Sequence, residues 1–359
     1  MDIEHNYKPI NVADAIHLYE GEVAWRSPSN IALVKYWGKY GRQLPSNPSV
    51  SFTLKNAHTN MRMSYKPGNG QVVLFFEKER NTAFEARIAK FIKSIEDIYP
   101  FLQGLDLEIH SDNSFPHSAG IASSASAMSA LALCLCSIEQ KAFNTLTDKD
   151  EFLEKASYLS RLASGSACRS VYPKLGQWGI HEGIQGSTNN FAIDVSDRVD
   201  PIFHTFKNSI LIASAKEKSV SSSAGHQLME DNPYAAVRFQ QANDNLVKLM
   251  QAMKEGDLDT FMLIVEEEAL TLHALMMTST PSYVLMKPGS LVLIEKIRAF
   301  RAETGLPVCF TLDAGPNLHV LYPEHITTQV QSFIKEECQA FCENGLIIED
   351  EVGEGAIAI

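Results

Sequence analysis

The sequence predicts an α+β fold of two halves facing a cleft, and three observations carry that expectation. Strand-like and helix-like segments alternate without the regular βαβ rhythm of a doubly wound sheet. The chain has 359 residues, long for one domain and comfortable for two. A polar, turn-rich stretch from Asp194 to Pro201 separates two patterned halves, giving expected units of 1–198 and 199–359.

Taken in order, residues 1–20 read as an extension with some helical character, and Val23 to Lys39 as a strand running into a tight segment. Ser49 to Leu54 and the alternating MRMSY after Asn60 read as two strands. Phe84, Ile88, Phe91, Ile92 and Ile95 recur at helical spacing, which predicts an amphipathic helix over Thr82–Ile98. LDLEIHSDNSFP is a strand ending at a proline-marked loop, followed by a Ser- and Ala-rich helix packed on both sides. Lys149 to Ser164 is a further helix, and QWGIHEG and NFAID return to strands. The second half opens with the strand SILIASA and has helices at Pro233–Lys254, Leu258–Met277 and Leu291–Thr304. The strands VCFTLDAG and NLHVLYP, a helix from Ile326 to Cys342 and a terminal strand complete it.

Charge and composition narrow the function. A formal charge of -12 argues against nucleic acid and against anionic membrane surfaces as partners. An anionic small substrate stays open, because a locally basic site fits inside an acidic protein. The basic residues that matter are then few and individually placed. The six cysteines form no CxxC pair and keep no company with zinc-spaced histidines; Cys134, Cys136 and Cys309, in apolar runs, read as buried side chains, and reduced thiols suit a cytoplasmic protein. The mixed, acidic N-terminus is not a signal peptide, and the longest apolar run, near Met128 to Ile138, is too short to span a bilayer.

Four segments have residues suited to chemistry. In Ser114 to Ala130 small side chains lead into a helix start, an arrangement that lets backbone N–H groups and the helix dipole hold phosphate. Ser123, Ser124 and Ser126 add hydroxyls, and no Walker-type GxxxxGK[ST] occurs. The same residues also suit a helix start built for close packing. In Ser27 to Gly41, Lys35 and Lys39 flank Tyr36 and Trp37, either an anion site or two snorkelling lysines. In Leu162 to Trp178, Arg169 follows the small residues Ser164, Gly165 and Ser166, so it either grips an anion bidentately, caps a helix end or pairs with a core carboxylate. In Cys309 to Tyr322, Asp313 ends a buried strand before a tight Ala-Gly-Pro-Asn turn, where it either acts on a ligand or caps the turn.

Together these segments resemble the GHMP kinase superfamily and, within it, the mevalonate diphosphate decarboxylases. SPSNIALVKYWGK, SFPHSAGIASSAS, ASGSACRS and LDAGPN are similar to that family's motifs and stand in its order, and SVSSSAGH, Ser219 to His226, resembles a fifth block. The resemblance implies a GHMP-kinase-like two-lobed fold with a deep central cleft, its N-terminal half like ribosomal protein S5 domain 2 and its C-terminal half ferredoxin-like. It implies ATP and Mg2+ as cofactors, a phosphorylated mevalonate as substrate, and a homodimer. Asp313 would be the catalytic carboxylate acting on the C3 hydroxyl, supported by Lys35, with Arg169 gripping the carboxylate that is later lost. Tyr36, Lys39, Ser164, Ser166, Ser222 and Ala314 would bind substrate. Asn113 and the run Ser118, Ala119, Gly120, Ile121, Ala122, Ser123, Ser124 and Ser126 would cradle ATP, with Ser124 near the metal.

The chain departs from the family pattern at Pro173-Lys174, where a Gly-Gly pair is usual, at His117 in the phosphate loop, and in the terminal VGEGA. A monophosphate decarboxylase, a C3 kinase that stops before decarboxylation and a nucleotide-sensing regulator are the alternatives. Retention of Asp313, Lys35 and Arg169, with Tyr36, Lys39 and Ser222, favours the diphosphate decarboxylase.

Overall fold

The computed structural model describes residues 7–10, 20–115, 121–216, 220 and 222–359, the side chains of 222 and 223 excepted. Most of the N-terminal extension, with His117, Ser118, Ala119 and Gly120 of the predicted phosphate loop, therefore lies outside the described residues.

Two sheets organise the chain. The first contains β1 (Gly21–Val34), β4 (Ser49–Pro67), β5 (Val72–Phe76), β6 (Glu79–Arg80), β7 (Leu105–Asn113), β8 (Leu175–Trp178), β9 (Ala192–Asp194) and β14 (Ile357–Ala358). Its main path runs β14-β1-β4-β7-β5-β6, with β8 pairing the other end of β4 and β9 pairing β8. A small ribbon, β2 (Lys39–Tyr40) with β3 (Leu44–Pro45), hangs between β1 and β4. The second sheet is antiparallel in the order β11-β12-β10-β13, from β10 (Phe206–Leu211), β11 (Cys309–Thr311), β12 (Leu318–Pro323) and β13 (Ile347–Glu351).

Helices cover these sheets where the apolar periodicity demands it. α1 (Thr82–Ser94) starts on Asn81, whose side chain accepts the Phe84 N–H, and buries Ile88, Phe91 and Ile92. α2 (Ser123–Phe143) is buried along nearly its whole length, because it lies between the first sheet and α3 (Lys149–Ala163). Its Ala and Ser residues permit that close approach on both sides. α5 (Ala235–Glu255) and α6 (Leu258–Met277) pack between the sheets, and their side chains share one apolar cluster with Ile31, Leu33, Phe52 and Phe206. α7 (Pro288–Thr304) and α8 (Thr327–Phe333) cover the second sheet, and the short α4 (Ser222–Gln227) precedes α5.

Three elements differ from expectation. The two strands predicted at Ser49–Leu54 and after Asn60 are one strand, β4, paired with β1 almost throughout. The polar Lys55-Asn56 that reads as a break is a local excursion from the ladder, and buried Asp350 accepts the freed N–H groups of Lys55, Asn56 and Ala57. The helix predicted from Ile326 changes winding after α8, through a π turn at Ile334–Cys338 and a 3-10 turn at Gln339–Phe341. Finally, the chain does not stop in the second sheet: β14 returns to pair with β1, so the last residues complete the first half. At the predicted departure, Lys174 takes a left-handed φ of 50°, a conformation open to glycine without cost.

Candidate active site

β1 delivers the first catalytic candidate. Its buried IALV end runs directly into Lys35, whose backbone N–H donates to Glu268 on α6 and whose carbonyl accepts from Asn47. Glu268 is itself held by Arg238 and Asn245 of α5, so a buried hydrogen-bond network fixes the lysine's backbone. The Lys35 ammonium donates to the carbonyl of Ala32 at 2.6 Å and to Asp313 at 3.0 Å. Burial lowers its pKa, and the Asp313 carboxylate opposes that shift. The lysine is 1% exposed and the aspartate 27% exposed, so the pair has a sealed end and an open end.

Asp313 stands at the end of β11 in a braced turn. His273 of α6 bonds its carbonyl at 3.2 Å, and the Gly315 N–H folds back on the same oxygen. Ser290 at the start of α7 donates to Pro316, and Asn317 accepts the Ser214 N–H. Turn capping alone does not account for this aspartate: its carboxylate faces Lys35 and the cleft.

Arg169 comes from the 3-10 turn Gly165–Val171 that follows α3. Its guanidinium is buried and donates to Ser51, Ser49 and Asn30, all neutral, with no carboxylate at ion-pair distance among the described residues. Asn30 is aimed there by a register shift between Pro28 and Asn30 in the β1–β4 ladder. Burial lowers the Arg169 pKa, with the negative field of Asp313 among the opposing influences. A buried cation with only neutral partners is incompletely compensated and favours an incoming anion.

These three side chains line one cleft of about 590 Å³. Tyr36, Lys39, Ser164, Ser166 and Ala314 also line it, as do Ala122 and Ser124 from the start of α2. Gly165 makes room, since a Cβ there would stand 2.8 Å from the Tyr36 hydroxyl. Lys39 donates to Gln43, and partial burial lowers its pKa. A second cavity of about 310 Å³ adjoins the first, sharing Arg87, Ser124 and Met128 with it, and contains Asn113 and Ser123 in its lining. Ala122 caps α2 in a left-handed conformation, φ 41°, so the helix starts abruptly at the junction of the two cavities.

Two predicted nucleotide contacts fall elsewhere. Ile121 is buried, with its carbonyl accepting from Ser29, and Ser126 is buried against Thr59 and the Ser123 carbonyl. Both lie one side of the helix start away from the cavities, because the helical turn that exposes Ser123 and Ser124 rotates Ser126 toward β4. Ser222 belongs to α4, but its side chain lies outside the described residues.

Sequence reading also missed residues. Arg87 and Lys90 of α1, three apart, line the cleft together with Phe91 at the edge of the apolar stripe that identified the helix. His226, which ends the SVSSSAGH block, lines it as well.

Among the described residues no cluster of three His, Cys, Asp or Glu forms a metal cage. Mg2+ is held mainly by substrate phosphates and water with few protein ligands, so hydroxyls at the cavity junction, Ser123 and Ser124, fit its needs.

Two family profiles match the chain: diphosphomevalonate decarboxylase-like N-terminal domain over residues 27–190, and mevalonate 5-diphosphate decarboxylase C-terminal domain over residues 209–351. The diphosphomevalonate decarboxylase of Schizosaccharomyces pombe is 28% identical over 321 residues, covering 83% of this chain and 78% of the relative. The structure of mevalonate diphosphate decarboxylase from Staphylococcus aureus superposes with a TM-score of 0.81 at 26% identity, covering 96% of this chain and 100% of that one. A complex of MDDEF with MVAPP, AMPPCP and magnesium superposes with a TM-score of 0.81 at 25% identity, covering 95% of this chain and 99% of that one.

Proposed function

We propose, from the premise that the chain belongs to the mevalonate diphosphate decarboxylase family, how its cleft carries out that family's reaction. The protein is an ATP-dependent decarboxylase that converts mevalonate 5-diphosphate to isopentenyl diphosphate, with ADP, phosphate and carbon dioxide released. One observation carries the assignment of parts: the Lys35–Asp313 pair and the acid-free Arg169 guanidinium share a cleft that opens at Ser124 into a second cavity.

In this reading the substrate lies in the larger cavity and ATP enters through the smaller one, its terminal phosphate at the helix start by Ser123 and Ser124. Asn113 and Ala122 complete that side. Tyr36, Lys39, Ser164 and Ser166 receive the substrate's diphosphate and backbone, and Ala314 walls the reacting end. Arg169 grips the carboxylate with a geometry no lysine offers.

Asp313 orients the C3 hydroxyl and accepts its proton as the terminal phosphoryl group transfers. Lys35, 3.0 Å away, fixes that carboxylate. The new phosphate ester then leaves C3 with its bonding electrons. Positive charge builds at C3, the C–CO2 bond supplies the electrons for the double bond, and carbon dioxide departs. Asp313, 27% exposed at the cleft mouth, returns the accepted proton to solvent, and its regained negative charge then favours that positive charge, an effect worth several kcal/mol where water is scarce. Ser123 and Ser124 would hold Mg2+ at the cavity junction, where the ion would neutralise phosphate charge.

The test is direct. Purified protein with Mg-ATP and mevalonate 5-diphosphate is expected to release ADP, phosphate and carbon dioxide in equal amounts. ADP without carbon dioxide would mark a kinase, and turnover only with the 5-monophosphate would move the substrate. A homodimer in the cytoplasm completes the proposal. The family resemblance supports the first, checked by sedimentation, and six buried free thiols support a reducing compartment.

A further inference from the structure

His226 is a buried histidine that the reaction described above does not use. It sits in α4, between the rings of Tyr36 and Trp37, with centroid distances of 4.4 and 4.5 Å. The N–H of Gly38, a residue held at φ +97°, donates to its Nδ1 at 2.9 Å. A ring nitrogen that accepts from an amide has no proton of its own, so the neutral ring has its proton on Nε2. Desolvation, with Lys39 as a nearby like charge, pushes its pKa down to about 3, so the ring is neutral in the working range. Its Nε2–H has no partner among the described residues, and the residue lines the cleft beside Tyr36 and Lys39.

We infer that the Nε2–H of His226 hydrogen-bonds the terminal phosphate of the substrate's diphosphate, a reading that rests on the decarboxylase assignment. The two flanking rings, tilted 39° and 32° to the imidazole, confine its plane and the Gly38 amide fixes the tautomer, so the donor is pre-oriented before substrate arrives. The same contacts tie α4 to the Tyr36–Lys39 turn that receives the diphosphate. A neutral donor complements the Lys39 charge without adding a second cation that would have to be desolvated.

Two substitutions separate the roles of the two ring nitrogens. His226→Asn places an oxygen near Nδ1, keeping the Gly38 bond and removing the far donor. His226→Gln places an amide donor near Nε2. The Asn variant is expected to raise KM for mevalonate 5-diphosphate about tenfold, with kcat and KM for ATP within about threefold, as for loss of one hydrogen bond to an anion. The Gln variant is expected to recover most of that loss. In nitrogen-15 histidine-labelled wild-type protein, the Nε2–H signal of His226 is expected to move downfield with mevalonate 5-diphosphate and to stay with ATP alone. An unchanged substrate KM in the Asn variant, or an unmoved Nε2–H signal at saturating substrate, overturns the inference while leaving the decarboxylase reading intact. Absence of carbon dioxide release by the wild-type protein overturns both.

Discussion

Lys155 and Arg169 are both buried cations of the first half, satisfied in opposite ways. The Lys155 ammonium pairs with Glu139 at 2.8 Å and lies 4.9 and 5.0 Å from the ring centres of Tyr7 and Tyr99. Glu139 in turn accepts from Tyr99 and Thr145. Every charge there is matched, and none of these residues lines either cavity of the site. Arg169 is as deeply buried, yet its donors end on Ser49, Ser51 and Asn30, and it faces the cleft. A matched buried charge leaves nothing for a ligand to compensate, whereas a buried charge with neutral partners favours an incoming anion.

That contrast is tested most severely at Asp313, the only carboxylate lining the cleft among the described residues. Asp313→Asn keeps the size and the hydrogen bond to Lys35 but removes the proton acceptor. Its kcat is expected to fall at least about 10³-fold. Calorimetric binding of mevalonate 5-diphosphate is expected to be unchanged or tighter. Full turnover by this variant would refute its catalytic role.

Stability separates the two cations next. Lys155→Met strands Glu139 in the core and is expected to cost about 3–5 kcal/mol in denaturant unfolding. Arg169→Met strands no acid, so the ligand-free protein is expected to be unchanged or more stable. Equal losses in the two variants would erase the distinction between closed and open charges.

Activity reverses the ranking. Arg169→Lys keeps the charge and loses the fork, with kcat/KM for the diphosphate substrate expected to fall about 100-fold. The smallest effect is on acid sensitivity. The unfolded chain binds a proton on His226 near pH 6.5, whereas the folded ring resists protonation until about 3. Its contribution to stability is present above pH 6.5 and is lost as pH falls, about 2 kcal/mol between pH 7 and 5. Unfolding of His226→Asn at the two pH values is expected to show a shallower slope by that amount. An identical slope would mean the ring takes up its proton alike in the folded and unfolded chain.

How much of this was legible in the sequence depended on whether the signal was local. The helix starts at Asn81, Asp148 and Asp257 were, because a capping side chain bonds within its own turn. The continuity of β4 between the two expected strands was not: Asp350, nearly three hundred residues away, satisfies the amides of Lys55, Asn56 and Ala57. Arg87 and Lys90 escaped notice because a helix is recognised by its apolar stripe, and the polar face looks alike whether it meets solvent or substrate. Glu268 is one of three consecutive glutamates, and nothing local marks it as the one fully buried under Lys35.

By itself the sequence determined the alternation of elements and the small-residue start of α2, which are written in adjacent residues, while Lys35, Arg169 and Asp313 stood out only through the resemblance to a family. Only the tertiary structure decided that β4 runs unbroken, that the chain's end returns to β1, and that Ser126 turns inward while His226 turns toward the cleft. Direction and partnership of a side chain depend on which distant segment packs against it. Coulomb and hydrogen-bond energies act through space over a few ångströms, and position along the chain does not encode that distance.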